Sequence, residues 1–335
     1  MEIIDEILSK DKFNDEYIKS IYNPNDILMF DIETTGLSPA KAFIYLIGLN
    51  YYKDGNWHIT LLFNEDGNSE KELLETFAKI LGDYPYLFSF NGDSFDIRFV
   101  KERMKQYAPA DNLLARNLNK TVSVDLMKLV KPYKSCFNLP NIKQKTIETF
   151  LGIHRIDQYN GGQMIEVYLN YLHNHNPKYR ELFIQHNRDD MEGMYHLSQL
   201  LYIKYLGKGE CNDVNISIKE NAGRLFLKLS SDMQICAPRE MYFYFDDYSL
   251  HAESNGLTLT VPILTGTLGY YVMGNKIATH EKTGYFIKQP AGHYILTPYK
   301  ESMKSKCSYI EINDAFLGNQ DLLREYLKLK LNELP

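Results

Sequence analysis

An apolar run that ends in two acids places the tightest limit on what this chain can become. Residues 27–33 read ILMFDIE and follow Asn23-Pro24-Asn25. A short apolar run, rich in β-forming side chains and bounded by turn residues, fits a buried central strand better than a helix. Side chains alternate along a strand, so Asp31 and Glu33 project from the same face. Like charges on a buried strand repel and lose hydration unless a cation or strong hydrogen bonds offset the loss. A divalent metal is the economical answer, and Thr34-Thr35-Gly36 supply a turn where backbone can approach a ligand closely. A strand-end turn with exposed acids is the competing reading. More acids are needed to decide.

Two further strands, residues 42–52 and 57–64, are separated by KDGN, a hairpin turn. Ser69 opens a helical stretch with Glu72 three residues on, the spacing of a capping box. Residues 86–91 read as another buried strand. Residues 95–107 have helical periodicity with basic residues outward, and residues 122–130 pass from strand to helix. Helical stretches follow at 141–153, 164–174 and 179–205, so the order is βββαβαβα and then helices. Near Lys208 the text turns polar (KGECNDVN), and short alternating segments broken by NG, GN and DD lead to a terminal helix at about 319–333. The fold class expected is α/β, a mixed sheet flanked by helices plus a smaller, mainly-β C-terminal domain. The expected divisions are an N-terminal helical extension (1–24), the α/β domain (25–207) and a β-rich accessory domain with a C-terminal helix (208–335). A chain of 335 residues has room for two such cores.

Further acids fall in matching places. NGDSFD, residues 91–96, follows the fourth strand and opens a helix, which aims Asp96 from a strand-to-helix junction toward the end of the first strand; Asp93 or Ser94 can cap that helix at the same time. HNRDD, residues 186–190, lies inside a helix, where His186 and Asp190 share a face. A histidine one turn from a metal-holding carboxylate is placed to take a proton from water near neutral pH, although a lone helical histidine is more often structural. Hard oxygen ligands, with no CxxC and no His/Cys cluster, favour Mg²⁺ or Mn²⁺ over zinc. Two such ions about 4 Å apart can activate water and stabilise the leaving oxygen of a phosphodiester, which accounts for four converging carboxylates. Asp125 is either an outer partner that orients a ligand or a helix cap.

The formal net charge of -6 argues against a nucleic-acid ligand only on average. Residues 98–145 hold eleven Lys and Arg against three acids, Glu102, Asp111 and Asp125. That stretch is a candidate phosphate track or a set of solvated helix faces. Lys101, Lys105, Lys143 and Lys145 are the candidate phosphate contacts, Asn91 and Thr34 the candidate polar contacts, and Phe95 packs beneath the site or stacks on a base. Four scattered cysteines, an acidic N-terminus and no long apolar run point to a reducing cytoplasm without membrane insertion.

As a set, DIETTG, NGDSFD and HNRDD resemble the first, second and third exonuclease motifs of the DEDD superfamily. SFNGDSFDIRFV, SVDLMKLV, IETFLGIHR and HNRDD are also similar to the YprB-type family of ribonuclease H-like proteins, over roughly residues 25–205. The resemblance implies a ribonuclease H-like mixed sheet and two-metal hydrolysis of phosphodiesters, with 3′ to 5′ digestion of a single strand of DNA or RNA. It carries Asp31 and Glu33 over from the first motif, Asp96 from the second and Asp190 from the third, with Asp189 a neighbour. One departure stands: the histidine subclass places its histidine five residues before the last Asp, whereas His186 precedes Asp190 by four, the spacing of the tyrosine subclass. Two alternatives stay open, a catalytically weak nucleic-acid-binding module and a structure-selective endonuclease. The C-terminal domain is open to nucleic acid or a protein partner.

Overall fold

In this computed structural model every residue is described except 9–15, 109–111, 156–158, 160, 209–210, 234–236, 238, 254–255, 272–278, 294, 297, 302–304 and 335. Asp111, Gly209, Glu210 and the Val272-Met273-Gly274 end of one expected strand therefore lie outside the described residues. Two compact units result, one of residues 1–134 and 139–201, the other of residues 135–138 and 202–335.

The first unit is built on a mixed sheet of β1 (Glu2–Ile7), β2 (Ile27–Thr34), β3 (Ile44–Lys53), β4 (Asn56–Phe63), β5 (Tyr86–Ser89) and β6 (Val122–Asp125), in the order β1-β4-β3-β2-β5-β6. The β1, β4, β3 and β2 neighbours run antiparallel, whereas β2, β5 and β6 are parallel. The KDGN turn closes β3 onto β4 with positive φ at Asp54 and Gly55, the backbone that a tight hairpin demands. Helices α1 (Glu16–Lys19), α2 (Glu70–Leu81), α3 (Asp96–Tyr107), α4 (Leu113–Lys120), α5 (Leu126–Val130), α6 (Gln144–Phe150), α7 (Gly161–Asn174) and α8 (Pro177–Leu197) complete it.

Strand alternation sorts β2 into two faces. Leu28, Phe30 and Ile32 pack into the core with Leu73, Leu74 and Phe77 of α2, Phe99 of α3 and Leu114 of α4. Asp31 and Glu33 point the other way, toward α8. Gly48 lies opposite Asp31 in the β2–β3 register. A Cβ at Gly48 would come within 2.2 Å of Asn187 Oδ1 and 2.7 Å of Met191 Cγ, both on α8. Only glycine lets this helix settle so near β3, and Asn50 Nδ2 then donates to the Met191 carbonyl at 2.7 Å.

The N-terminus differs from the expected helical extension, because residues 2–7 form edge strand β1. An acidic segment of about ten residues is marginal as an isolated helix. Pairing with β4 satisfies its backbone and that of the sheet edge, and its acids find partners: Glu2 binds Arg180, Glu6 binds Arg188, and Asp5 accepts from Thr60. The capping box at Ser69 does not form. Its hydroxyl donates to Asp66 Oδ1 at 2.7 Å instead, and helix α2 starts without a side-chain cap. Helix α4 has no counterpart in the expected order, since two turns are too short to show a clear period.

The second unit is mainly β, as expected. After α9 (Leu201–Lys208), β7 (Cys211–Asn221), β8 (Arg224–Met233), β9 (Met241–Tyr244), β10 (Ser249–Glu253) and β11 (Gly256–Pro262) form an antiparallel sheet in the order β7-β8-β11-β10-β9. A small closed barrel of β12 (Leu264–Tyr271), β13 (Thr279–Lys288), β15 (Tyr309–Glu311) and β14 (Tyr299–Lys300) follows, then α10 (Asp314–Leu317) and α11 (Gln320–Leu331). Strand β7 occupies part of the stretch expected as a linker. Val214, Ile216 and Ile218 alternate onto one face of it, the last two opposite Leu229 and Leu227, but its first residues are polar and its ladder shifts register between Cys211 and Val214. Gln320 of α11 covers that irregularity, accepting from Val214 N at 2.8 Å and donating to Val214 O at 3.0 Å. Toward the other end of α11, the ammonium of Lys330 is buried between Asp247 (3.3 Å) and Glu333 (2.9 Å).

Placing a methyl group at position 48 tests the packing of α8. Gly48→Ala should cost about 1–3 kcal/mol, the usual penalty for overpacking, read as a lower denaturant midpoint. An unchanged midpoint would show that α8 has room to move.

Candidate metal centre

The three motifs meet at one end of the first unit's sheet. Asp31, Glu33 and Thr34 of β2, Asn91 and Asp96 from the β5–α3 junction, and His186 and Asp190 of α8 all line one cleft of about 760 Å³. Asp96 lies in the first turn of α3, where its Oδ1 accepts from the Ile32 N–H at 3.3 Å. Neither Asp93 nor Ser94 caps that helix. Asp93 instead accepts from Ser123 and Lys128, both at 2.5 Å. Asn91 holds the turn with a left-handed φ of 63° while its N–H donates to Asp125 Oδ1 at 2.9 Å. Asp125 also caps α5 through Met127 N at 3.0 Å. It is therefore a helix cap that also fixes the turn presenting Asp96.

On α8, the histidine and the last aspartate face β2. His186 Nε2 is 3.4 Å from both Glu33 Oε1 and Asp190 Oδ2. One ligand atom from each of Glu33, His186 and Asp190 fits within a 4.8 Å group, a separation suited to a shared metal ion. Asn187 Nδ2 donates to Asp31 Oδ2 at 3.0 Å, and the buried Tyr45 hydroxyl donates to Glu33 Oε2 at 3.3 Å. Asp189 points elsewhere, with Gln185 Nε2 donating to its Oδ1 at 2.5 Å.

Burial, and after it the charges of Asp96, Asp190 and Glu33, hold the Asp31 carboxyl well above its usual range, against the pull of Arg155. Burial likewise pushes Asp96 up to about 7, with Asp125 and Asp190 adding to the shift and backbone hydrogen bonds opposing it. Crowded carboxylates that hold protons this firmly lack positive charge. Mg²⁺ and Mn²⁺ fit this donor set of carboxylate oxygens with a single imidazole.

Sequence reasoning passed over the cation that is present. Arg155 binds Glu148 with Nε and with Nη2 (2.5 Å to Oε1), and binds Asp190 Oδ1 with Nη1. Its side chain is 7% exposed and that of Glu148 is 1% exposed, so each charge is bearable only because of the other. Gln144 joins them, donating to Glu148 Oε1 at 3.0 Å and to the Asp190 carbonyl at 2.9 Å. Gly193 of α8 admits Glu148, since a Cβ there would lie 2.0 Å from Oε1. The signal lies in IETFLGIHR, where a Glu and an Arg seven residues apart interrupt apolar text.

Of the candidate substrate contacts, Lys143, Lys145, Asn91 and Thr34 line the cleft. Lys101 and Lys105 are not among its lining residues, and Lys105 pairs with Glu102 at 2.7 Å. The basic stretch is also partly neutralised, because Arg103 is buried and bonds Glu70 rather than facing outward. Phe95 lines the cleft and packs on Phe99, ring centres 5.4 Å apart.

A family model of the RNase_H superfamily matches residues 28–202, more than half of the chain. The chain therefore belongs to the RNase_H superfamily. Among individual proteins, it is 34% identical over 80 residues to DNA polymerase 1 of Sulfurisphaera ohwakuensis, covering 19% of this chain and 9% of the polymerase. It thus spans under a tenth of that relative's length. The family B DNA polymerase of Pyrobaculum calidifontis matches with a TM-score of 0.42 and 18% identity, over 56% of this chain and 25% of that one. The zinc-bound E. coli ExoI–ssDNA complex matches with a TM-score of 0.28 and 11% identity, over 92% and 72%. Among the described residues, no helix is long and apolar enough to cross a membrane.

The sign of the pH dependence follows from Asp96. Its folded pKa of about 7 lies above the ordinary 3.8, so its contribution to stability is complete below that ordinary value and is lost as pH rises through 7. In chelator, Asp96→Asn should melt above the parent by a few kcal/mol equivalent near pH 8, with the gap closing toward pH 4. A gap that does not change with pH would contradict the assignment.

Proposed function

We propose that this chain is a divalent-metal-dependent nuclease of the DEDD exonuclease type, with motifs of the YprB kind, that digests single-stranded DNA or RNA from the 3′ end. The observation that carries the reading is the convergence of Asp31, Glu33, Asp96 and Asp190 on one cleft, where burial and mutual repulsion hold Asp31 and Asp96 above the usual carboxylate range. Bound cations would offset that burial and repulsion and let the carboxylates ionise together at neutral pH.

In this reading the four carboxylates hold two Mg²⁺ or Mn²⁺ ions, which supply Lewis acidity toward the phosphodiester and toward the attacking water. The side chains do the rest. Asn187 and the backbone N–H of Ile32 fix the Asp31 and Asp96 carboxylates, and Arg155 with Glu148 holds Asp190 on its far side. His186 takes the proton from the attacking water, with Glu33 and Asp190 placed to stabilise the imidazolium that forms. Lys143 and Lys145 contact phosphates on the cleft wall, and Leu37 (79% exposed) with Phe95 offers apolar surface to a terminal base. We assign the catalytic role to the unit of residues 1–134 and 139–201 and an accessory role to the second unit.

End-labelled single strands of DNA and RNA, incubated with Mg²⁺ or Mn²⁺, should shorten stepwise from the 3′ end, and chelator should stop the reaction. Asp31→Asn and Asp190→Asn should each lower the rate at least about a thousandfold, as loss of a group acting at the transition state does, with far-UV spectra unchanged. Full rates in both variants would remove the assignment, and internal cuts would replace exonuclease with endonuclease.

A further inference from the structure

We propose that the open face of the five-stranded sheet in the second unit is a binding surface for a single-stranded polynucleotide. The inference goes beyond the nuclease reading, since neither the surface nor its test needs the carboxylate cleft.

The sheet is two-faced. Leu227, Leu229, Leu250, Leu259 and Phe243 are buried on its inner side. On the outer side the registers line up in rows that cross all five strands. One row runs Ser217, Lys228, Thr260, Ser249, Tyr244; the next runs Asn215, Ser230, Thr258, His251, Tyr242. The face is curved enough to enclose about 580 Å³. Two kinds of chemistry occupy its opposite ends.

At the β9 end, Tyr242 and Tyr244 are 42% and 65% exposed. The Tyr242 ring stacks on His251 at 4.0 Å with planes 9° apart, and it is within 8° of parallel to Tyr244. Exposed, parallel rings on a strand lose little entropy when a base stacks on them. At the other end lie Lys219, paired across strands with Phe226, and Lys228. Arg224 begins the same strand. None of these three cations has an ion-pair partner among the described residues, whereas the two acids beside the rings are each engaged, Glu240 by the Tyr242 hydroxyl at 3.4 Å and Glu253 by His251 Nδ1 at 2.7 Å. Free positive charge is therefore offered to phosphates at one end and ring faces to bases at the other, three to four strand spacings of about 4.8 Å away. Between them lie Ser230, Ser249, Thr258 and Thr260, whose hydroxyls can hydrogen-bond sugar and phosphate oxygens.

The test uses the full chain carrying Asp31→Asn and Asp190→Asn, so that no probe is consumed, and reads anisotropy of labelled oligothymidine, oligouridine and duplex DNA of about 20 units. Tight binding of a single strand over duplex is expected, and the DNA and RNA arms decide the sugar. Tyr242→Ala with Tyr244→Ala should weaken single-strand binding about tenfold or more, while Tyr242→Phe with Tyr244→Phe should retain it. Lys219→Gln with Lys228→Gln should flatten the dependence on salt, and decides the matter should the alanine pair fail to fold. Unchanged affinity and salt slope in folded variants, a preference for duplex, or loss of self-association instead of nucleotide binding would overturn the proposal. A chain that binds through these residues, but whose parent cleaves nothing, would keep this inference and remove the nuclease reading. A chain that cleaves yet binds equally well without them would do the reverse.

Discussion

The desolvation of Asp31 sets the terms for the rest of the first unit. It sits on the central strand with Glu33 one pleat away and with Asp96 and Asp190 near enough to raise its pKa further. Surrounding structure answers this in three ways. Helix α8 crosses close enough, over Gly48, for Asn187 to donate to it; the α3 junction is pinned through Asn91 and Asp125; and Arg155 brings one buried positive charge, itself held by Glu148. Arg155 alone does not balance Glu33, Asp190 and Glu148 together with Asp31 and Asp96 once these two ionise. In the proposed reading, divalent cations supply the remaining counter-charge.

Arg155 also shapes what the site can do. Its bidentate hold on Glu148 fixes the guanidinium, so Asp190 is approached from one defined side while its other oxygen stays toward His186. His186, four residues before Asp190, lines the cleft while buried between Glu33 and Asp190.

Much of the first unit was legible because its signals are local. The strand carrying Asp31, the hairpin at Asp54 and Gly55, and the helix carrying His186 each announce themselves by alternation, turn chemistry or period. What was not legible depends on partners distant in the chain. Strand β1 exists because β4 has an open edge and α8 offers Arg180 and Arg188. Ser69 abandons a capping box because Asp66 is the nearer acceptor. Arg103 reads as an outward base but is drawn inward by Glu70. At the site, the four acids and the histidine carried recognisable motifs, while Arg155, Glu148, Gln144, Asn187 and Tyr45 gain meaning only once the helices are placed. In the second unit β7 escaped notice because its polar start, Cys211-Asn212-Asp213, reads as a boundary, although Val214, Ile216 and Ile218 alternate beyond it.

Manganese binding to the intact protein, followed by electron paramagnetic resonance and by calorimetry in two buffers of different ionisation enthalpy, addresses the central claim most directly. The account predicts saturable binding of about two ions per chain, with proton release near neutral pH as Asp31 and Asp96 ionise, and loss of that binding in Asp31→Asn. Absence of saturable binding, or binding that leaves the proton count unchanged and survives the substitution, would contradict it.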